Sequence, residues 1–286
     1  MPTILSWNLE NLRGRSQRLA HIATLLTELN PDGVFIYEIM GGRMILEDIC
    51  HRLGPSWHYI FQTNGDSRHV GFCYNSLKVQ PVRIAWDPTS FPNTNRYQRS
   101  LWSSKDGFAE VRHRLYGLHR VICVNCTFTS DPNPVLLMGV HLKSMVSFRD
   151  QPSKKLTSQE KRTIQVRCIQ EFFESSVYPD ALVMGDFNSE SAESCSLTSS
   201  SCNETTTPLD QGGIVRHVRP TNPLKTWRGS KRFQPTNLDL LYESDSINAS
   251  LEVVDSMGLS DHNALKITWG TLGLSLIHTP STSIVY

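Results

Sequence analysis

The sequence predicts an α/β protein in which two β-sheets pack against each other and helices cover their outer faces. Two observations predict this arrangement. Many short apolar segments, each about as long as a buried strand, are separated by turn-forming residues. Three longer segments repeat their apolar residues at the helical spacing and carry them on one face. Together, these two kinds of segment suit a domain in which helices cover sheets.

The first half of the chain alternates between strands and helices and then continues as strands. The apolar, β-branched start of residues 3–9 (TILSWNL) indicates a strand, and Asn30-Pro31 ends the helix that follows. Gly54 ends the second helix. The predicted elements are, in order, a strand at residues 3–9, a helix at 19–29, a strand at 33–38, a helix at 43–53, and strands at 57–63 and 70–75.

The second half contains most of the remaining strands and the longest helical pattern. Residues 158–176 place Cys168, Ile169, Phe172 and Phe173 on one face of a helix. The predicted strands are residues 120–128, 135–142, 181–188, 238–244, 251–256 and 264–270.

Three segments show no clear period. Residues 81–107 are rich in Pro, Asn, Ser and Arg, which predicts a loop with a short helix. Residues 189–207 are rich in Ser and Thr, which predicts a flexible insertion, and residues 271–286 are expected to be a C-terminal tail. We therefore expect one domain over residues 1–270.

The composition is that of an ordinary globular protein. The 286 residues are 39% hydrophobic and 19% charged, which is enough apolar material for a sizeable core. The formal net charge of +1 disfavours a protein that binds nucleic acid mainly through overall charge, so any contact with a polyanion must be local.

The cysteines and the apolar runs bear on cellular location. Cys123 and Cys126 are spaced like half of a zinc site, but no second pair follows, and Cys123 lies in an apolar run typical of a core. The first residues do not resemble a signal peptide, and no apolar run approaches the roughly 20 residues of a membrane span. We therefore expect a cytoplasmic protein with reduced thiols.

Polar and charged side chains stand at the ends of several predicted strands. Taken singly, such a residue is more often a turn former, a solvated cap or a satisfied buried histidine. Several in one chain are difficult to explain as independent coincidences, because a buried charge is costly unless it is paired, hydrogen-bonded or bound to a metal. The residues are Asn8, Glu10, Glu38, His141, Asp186, Asn188, Asp239, Asp261 and His262.

The motifs around these residues resemble those of the endonuclease/exonuclease/phosphatase superfamily, whose fold is deoxyribonuclease I-like. The matching segments SWNLENL, YEIM, VHLKS, VMGDFNS, NLDLLYES and LSDHNAL occur in the family's order and span residues 6–265. The resemblance implies a four-layer α/β sandwich, with two central mixed, mainly antiparallel β-sheets flanked by helices. It also implies metal-dependent hydrolysis of a phosphate ester.

The resemblance further implies a metal site built from oxygen ligands. Glu38 matches the family's principal metal carboxylate, and Asn8 matches a neighbour that supports the metal or the phosphate. Glu10 stands where several relatives have an aspartate, and Asp261 is expected to add a metal contact. Mg²⁺ suits a site with few carboxylates because it keeps several of its waters, and Mn²⁺ is the alternative.

The remaining residues are implied to act on water and phosphate. Asp186 and Asn188 point to the same side of an extended strand and would orient the attacking water or hold phosphate oxygens. Asp239 would pair with His262, which would contact the scissile phosphate as an acid or a base. His141 matches a histidine of the deoxyribonuclease, sphingomyelinase and phosphatase branches, and its presence disfavours an abasic-site repair nuclease.

The substrate is less clearly indicated. Between Gln211 and Asn237 there are six Lys or Arg residues, two large aromatic residues and no acidic residue, a pattern that suits a nucleic-acid strand as well as a solvated loop. Candidate phosphate contacts are Lys231 and Arg232 in this stretch and Arg68 before a strand. For Arg68, the sequence fits an ordinary surface arginine equally well.

The leading hypothesis is a monomeric, Mg²⁺-dependent phosphodiesterase, most simply a nuclease acting on DNA or RNA. The alternative within the same chemistry is a sphingomyelinase-like enzyme or an inositol-phosphate phosphatase. An alternative of another class is a phosphate-binding module without catalytic activity. A docking segment for membranes is not evident, which counts against a lipid substrate.

Overall fold

Twelve strands form two six-stranded sheets in the part of the chain that the structure describes. The structure is a computed structural model. It describes residues 1–14, 16–62, 68–84, 120–142, 158–175, 180–189, 206, 209, 213, 215–229 and 235–271. The Ser/Thr-rich insertion lies largely outside these residues, as do the predicted tail, Lys231 and Arg232.

The first sheet has the strand order β11-β12-β1-β2-β4-β3. β1 and β2 are parallel and are connected through a helix, while the other neighbours are antiparallel. The bounds are β1 (Thr3–Leu12), β2 (Gly33–Ile39), β3 (Trp57–Gln62), β4 (His69–Asn75), β11 (Ile247–Val254) and β12 (Ala264–Thr271).

The second sheet has the order β5-β6-β7-β8-β10-β9. Here β7 and β8 are the parallel pair, and the remaining pairs are antiparallel. Both sheets are therefore mixed and mainly antiparallel, as predicted. The bounds are β5 (Val79–Ile84), β6 (Val121–Phe128), β7 (Asp131–His141), β8 (Ala181–Asp186), β9 (Val215–His217) and β10 (Asp239–Ser244).

Helices cover the outer faces of both sheets. In the described residues, α1 (Ser16–Leu29) and α2 (Arg43–Leu53) pack their leucines and isoleucines on the first sheet. α3 (Ser158–Ser175) packs Ile169 and Phe172 on the second. A further apolar cluster, made of residues from both sheets, lies between them. The predicted four-layer α/β sandwich is therefore confirmed.

The core between the sheets explains why their strands read as continuous apolar runs. Phe35 and Phe72 of the first sheet stack with ring centroids 4.4 Å apart. Leu137 and Leu182 of the second sheet belong to the same cluster and are fully buried. Since each sheet is covered on both faces, alternate residues of a central strand all enter one apolar layer or another.

Two strands were missed because their sequences do not carry a strand pattern. The prediction of a loop from residue 81 is wrong at its start, because β5 continues to Ile84 with Pro81 inside it. β5 is an edge strand, where the missing N–H of proline need not break a ladder hydrogen bond. β9 has three residues and is too short to show a period.

The end of α2 and the cysteines can also be compared with the sequence. Gly54, at φ 114°, ends α2 directly after Leu53. Cys123 and Cys126 are free, buried thiols that belong to two different apolar clusters, so they do not form half of a metal site. No helix in the described part of the chain is long and apolar enough to cross a membrane.

Candidate active site

Three neighbouring strands of the second sheet place ionisable side chains at the same level. His141 on β7 is the register partner of Asp186 on β8, and Asp186 is the partner of Asp239 on β10. Register partners present their side chains on the same face of a sheet. All three are buried, with at most 2% of their surface exposed. The row explains why β7 and β8 end in such a residue and why β10, which runs antiparallel to β8, begins with one.

The first sheet contributes Asn8 and Glu38 from its parallel pair β1 and β2. Asn8 Nδ2 donates to Asp186 Oδ2 at 2.9 Å and so connects the two sheets. Glu38 Oε1 lies 3.5 Å from His141 Nε2, which in turn lies 3.7 Å from Asp186 Oδ2. The side chains of Glu38, His141 and Asp186 therefore form one continuous group across the interface of the sheets.

His262 completes the group from the loop between β11 and β12. Its Nδ1 lies 2.7 Å from Asp239 Oδ2. Ligand-type atoms of Asp186, Asp239 and His262 all lie within 4.8 Å of one another, close enough that these three residues could themselves hold a metal ion. Glu38, Asp186 and His262, which are far apart in sequence, thus share one site.

The loop that carries His262 is fastened to β1. Ser260 Oγ donates to the main-chain oxygen of Asn8 at 2.7 Å and accepts from the main-chain N–H of His262 at 3.1 Å. Trp7 Nε1 donates to the main-chain oxygen of His262 at 3.2 Å. The position of the imidazole is therefore set by the same strand that supplies Asn8.

Arg18 on α1 adds a second fastening that sequence reasoning did not identify. Its Nε donates to the main-chain oxygen of Leu259 at 2.9 Å, and its Nη1 donates to that of Glu10 at 3.3 Å. Its Nη2 donates to the main-chain oxygens of Leu9 and Leu259. One half-buried guanidinium therefore holds the end of β1 against the residue that precedes Ser260.

Several site residues adopt a backbone conformation that L-residues rarely use. Glu38 has φ 60° and Asn188 has φ 50°, while Glu10 and Asn11 have φ 40° and 50°. Such left-handed residues cost about 1–3 kcal/mol each and tend to occur at functional sites. β1 and β2 both show a register irregularity at these positions, which turns Glu38 toward the site.

Gly185, directly before Asp186, is required by its surroundings. Its φ is 137°, and a Cβ there would lie 2.1 Å from the main-chain oxygen of Val140 and 2.8 Å from Tyr37 Oη. Tyr37 donates to the main-chain oxygen of Met184 at 3.1 Å and contacts Ser6 Oγ at the same distance. The glycine of the GDFN motif thus allows a tyrosine to fasten the two sheets beneath the site.

The carboxyl group of Asp186 is electrostatically unusual. Burial raises its pKa most, Asp239 and Glu38 raise it further, and His262 and the Asn188 N–H oppose the rise, with a net pKa of about 7. The N–H of Asn188 donates to Asp186 Oδ1 at 2.8 Å, and Asn188 Nδ2 donates to the main-chain oxygen of Leu142 at 3.3 Å. A carboxyl group with this pKa can accept and release a proton near neutrality.

His262 is shifted in the direction of the imidazolium. Burial alone would lower its pKa, but the charges of Asp239, Asp186 and Asp261 and the hydrogen bond that the ring donates to Asp239 outweigh burial and raise the pKa to about 10. Since Nδ1 is directed at Asp239, the Nε2 atom faces the other side, 3.8 Å from Asp261 Oδ1. At neutral pH, His262 therefore presents an Nε2–H donor.

The acidic rim of the site offers oxygen ligands. Asp261 Oδ2 accepts from Trp227 Nε1 at 3.3 Å, while its Oδ1 is buried without a hydrogen-bond partner. The exposed Glu10 has a raised pKa because of partial burial and the nearby charges of Asp261 and Glu38. Carboxylate oxygens at the rim of a site, one of them buried without a hydrogen-bond partner, are a donor set that suits a divalent cation.

Arg68 belongs to the site, but its contacts are with Glu38 and Asn11. Arg68 Nη1 lies 3.4 Å from Glu38 Oε1, and Arg68 Nε donates to Asn11 Oδ1 at 3.1 Å. The N–H of Asn11 donates to the other Glu38 oxygen at 3.0 Å. The guanidinium is therefore poised beside the predicted metal carboxylate.

The basic stretch between residues 211 and 237 is partly structural. Arg216 Nε bonds to Glu243 Oε1 at 2.7 Å, and Arg228 Nη2 bonds to Asp255 Oδ1 at the same distance. The main chain of Trp227 forms isolated antiparallel β-bridges with Thr236 and with His262, so this stretch lies next to the site. Two of its arginines are thus paired with carboxylates of the fold, and residues 230–234 lie outside the described residues.

No protein-family model and no curated protein matches the sequence. A mannosyl-6-phosphatase of Bacteroides thetaiotaomicron matches 94% of this chain and 100% of its own, with a TM-score of 0.64 and 17% identity. An endonuclease/exonuclease/phosphatase family protein of the same organism has a TM-score of 0.63 and 18% identity over 94% and 97% of the two chains.

A third solved structure is D. rerio TDP2 complexed with a single-strand DNA product. It has a TM-score of 0.59 and 16% identity, with 94% of this chain and 99% of that chain covered. At these identities the likeness concerns the fold. The chain therefore has the deoxyribonuclease I-like fold of the endonuclease/exonuclease/phosphatase proteins.

Proposed function

We propose that this protein is a metal-dependent phosphodiesterase, most simply a nuclease that acts on DNA or RNA. The observation that carries the proposal is the contact of His141 Nε2 with both Glu38, at 3.5 Å, and Asp186, at 3.7 Å. It unites a candidate metal carboxylate with a carboxyl group that can exchange a proton near neutrality. Hydrolysis of a phosphate diester needs both charge neutralisation and an activated water.

Glu38, Asp261 and Glu10 are proposed to hold the divalent cation, with Mg²⁺ preferred and Mn²⁺ as the alternative. The ion would polarise the phosphate and neutralise charge that develops on it. Asn8 is assigned a supporting role, because its Nδ2 donates to Asp186 and its Oδ1 accepts from the N–H of Glu10 at 3.0 Å. Neither atom of its carboxamide therefore needs a cation as a partner.

Asp186 is proposed as the base that activates water. In the step we propose, the water oxygen forms a bond to phosphorus, its proton passes to Asp186, and the ester P–O bond breaks as the leaving oxygen takes up a proton. The pKa of about 7 gives Asp186 a suitable affinity for that proton. Asn188 lies two residues beyond the end of β8 and is left-handed, so the extended strand expected for both residues stops at Asp186; its side chain would orient the water or a phosphate oxygen.

His262 and His141 are proposed to stabilise the phosphate. The imidazolium of His262 would donate from Nε2 to a phosphate oxygen, while Asp239 keeps the ring oriented through Nδ1. The same chemistry fits a phosphate monoester or a lipid phosphate, which keeps a sphingomyelinase-like enzyme or an inositol-phosphate phosphatase as alternatives. A binding module without activity would have little use for a proton-exchanging Asp186 and a left-handed Glu38.

The experiment is a substrate panel with matched variants. Purified protein is expected to cleave bis(p-nitrophenyl) phosphate and plasmid DNA with Mg²⁺ or Mn²⁺, and EDTA should stop both reactions. Asp186→Asn and His262→Ala should lower turnover by at least about 100-fold while the far-UV circular dichroism stays native. The control is Asp32→Asn, which changes another buried carboxylate, at the opposite end of β2.

Three outcomes would redirect the proposal. Turnover of a sugar or inositol monophosphate without diester cleavage would favour a phosphatase. Phosphate binding without turnover on any member of the panel would favour the binding module. Near-native turnover of Asp186→Asn would remove that residue from the mechanism.

A further inference from the structure

A cavity of about 270 Å³ lies beside the candidate active site. One wall is the segment that leads from β9 to Lys225, and the other includes Asn237 and Asp239 at the start of β10. Asp239 is therefore a residue of the cavity wall as well as the partner of His262. The mechanism proposed above uses none of the other residues in this wall.

The cavity is preformed, because its outer segment is bound to β11. Thr221 donates from both its N–H and its Oγ1 to the main-chain oxygen of Leu251, at 2.8 and 3.0 Å. Asn222 donates from Nδ2 to the main-chain oxygen of Val253 at 2.7 Å and accepts the N–H of the same residue at 3.0 Å. A ligand would therefore not need to order this segment on binding.

The chemistry of the lining fits an anion attached to an apolar or sugar-like body. His217, Arg219 and Lys225 supply the basic groups, and Lys225 is exposed at the rim. Among the described lining residues the acidic group is Asp239, whose carboxylate is already bonded to His262. The apolar part of the wall comes from Pro220, Pro223, Leu224 and Leu251.

The cavity and the catalytic group are tied together through the main chain. Asn263 directly follows His262, and its Nδ2 donates to the main-chain oxygen of Lys225 at 2.9 Å. Thr226 Oγ1 accepts the N–H of Asp239 at 3.0 Å. An extended substrate whose phosphate lay against His262 could therefore reach the cavity with its next group.

From this geometry we infer that the cavity is a subsite for a second phosphate of the same substrate, next to the phosphate that is cleaved. The inference rests on the proposed phosphodiesterase function and narrows it, because the substrates would carry at least two neighbouring phosphates. A polynucleotide backbone and a polyphosphorylated inositol both provide them. Lys225 is the residue through which the subsite is best tested, since its structural contact uses its main-chain oxygen, which substitution leaves in place.

The test compares substrates that differ by one phosphate. Thymidine 5′-(p-nitrophenyl phosphate) is measured against the same compound with a 3′-phosphate. The wild-type protein should favour the 3′-phosphorylated compound in kcat/KM by about tenfold, the size expected for one charged hydrogen bond. The ratio should stay near that value in Lys225→Arg, approach 1 in Lys225→Ala and fall further in Lys225→Glu. Arg52→Ala, on the far helix α2, should keep the wild-type ratio.

A binding measurement separates failure of the subsite from failure of the proposed function. Calorimetry with thymidine 3′,5′-bisphosphate and thymidine 5′-phosphate should show the same preference in EDTA-treated protein. Preferential binding without hydrolysis would retain the subsite and overturn the nuclease. Hydrolysis with equal kcat/KM for the two substrates, or a ratio unaltered in Lys225→Ala and Lys225→Glu, would overturn the subsite. Inositol 4-phosphate and inositol 4,5-bisphosphate, whose two phosphates are neighbours on the ring, are compared in the same way and identify which scaffold carries the second phosphate.

Discussion

Asp239 and His262 form a hydrogen bond of 2.7 Å between a carboxylate on β10 and an imidazole on the loop before β12. The bond fixes Nδ1 as the atom that faces the protein and leaves Nε2 on the side of Asp261, at 3.8 Å from its Oδ1. A histidine held in this way has one ring nitrogen, Nε2, left to contact a substrate. The role of His262 therefore depends on a residue from another part of the chain.

Replacing Asp239 should change the titration of His262. Burial lowers the wild-type pKa of His262, but the charge of Asp239 is the main cause that overcomes burial and raises the pKa to about 10. Asp239→Asn removes that charge, so the pKa should fall to about 6.5 or below. Nuclear magnetic resonance of the imidazole protons in EDTA-treated protein measures it. Asp255→Asn, at an exposed carboxylate, should leave the His262 titration as it is.

The same pair should contribute to stability in a defined range of pH. Because the folded-state pKa of His262 lies above its unfolded value, the contribution is fully present below about pH 6.5 and is lost as the pH rises through about 10. Asp239→Asn should abolish that dependence in urea denaturation across this range. A wild-type curve that is flat between these two pH values would contradict the assigned shift.

Asp186 should behave in the opposite sense from an ordinary paired carboxylate. Its folded-state pKa of about 7 exceeds the unfolded value, so folding favours the protonated form, and this contribution is lost as the pH rises through about 7. In metal-free protein, Asp186→Asn should therefore raise the free energy of unfolding at pH 8 by about 1 kcal/mol, although the same substitution abolishes turnover in the presence of Mg²⁺. At pH 4 the two proteins should be nearly equal, and a loss of stability at pH 8 would refute the shift.

Arg18 should be needed for activity although it lies outside the proposed catalytic group. Arg18→Ala removes hydrogen bonds to the main-chain oxygens of Leu9, Glu10 and Leu259, so the end of β1 and the loop before Ser260 should loosen. Since residues that orient ligands typically contribute 10–100-fold, kcat should fall by about that factor and the Mg²⁺ concentration for half-maximal rate should rise.

Two further variants keep that prediction separate from a loss of folding. Arg18→Lys should recover part of kcat, because an ammonium can still donate to main-chain oxygens. Arg52→Ala removes an arginine that pairs with Asp48 on the surface of α2, and it should retain the wild-type rate. An Arg18→Ala protein with unaltered Mg²⁺ dependence would show that the hydrogen bonds of Arg18 have only a structural role.

Gly185 should not tolerate a side chain. In Gly185→Ala the Cβ would meet the main-chain oxygen of Val140 at 2.1 Å and the backbone is at φ 137°. We expect a loss of about 3 kcal/mol or more in the free energy of unfolding, measured with urea. Gly54→Ala is the control, since φ is 114° there but nothing lies within 4 Å, and its cost should be that of backbone strain alone, about 1–3 kcal/mol.

The sequence was sufficient for the layers of the fold but not for all of the contacts that fasten the site. β8 could be predicted because it is apolar up to Asp186, and α3 because its apolar residues recur at the helical spacing. Pro81 hid β5, since proline in a strand is tolerated only where one side is unpaired. Whether a segment with a proline forms a strand depends on its position in the sheet, and the local sequence pattern carries no information about that position.

The catalytic candidates were found for the opposite reason. Asp186 and Asn188 interrupt apolar surroundings and so stand out locally, whereas Arg18 looks like any helical arginine. Its contact with Leu259 spans 241 residues, and no spacing rule connects the two. Ser260 likewise reads as a turn residue, although its hydroxyl holds Asn8 and His262 together. Residues that position others are thus the ones that sequence patterns miss.

Arg68 offers the sharpest test of how substrate and metal share the site. Its guanidinium lies 3.4 Å from Glu38 Oε1, on the carboxylate proposed to hold the cation. A positive charge there should weaken cation binding by repulsion and attract an anionic substrate. Arg68→Ala should therefore bind Mn²⁺ more tightly in the absence of substrate, while KM for the diester rises by about tenfold.

The two halves of this prediction point in opposite directions, which separates it from simple damage to the site. A variant with distorted Glu38 would lose affinity for both the cation and the diester, because both depend on that carboxylate. Paramagnetic resonance of Mn²⁺ gives the metal affinity, and steady-state rates give KM. Arg43→Ala, which removes an exposed arginine near Glu47 on α2, should change neither quantity. If Arg68→Ala instead weakens Mn²⁺ binding, the guanidinium supports the conformation of Glu38 through Asn11, whose side chain it also contacts.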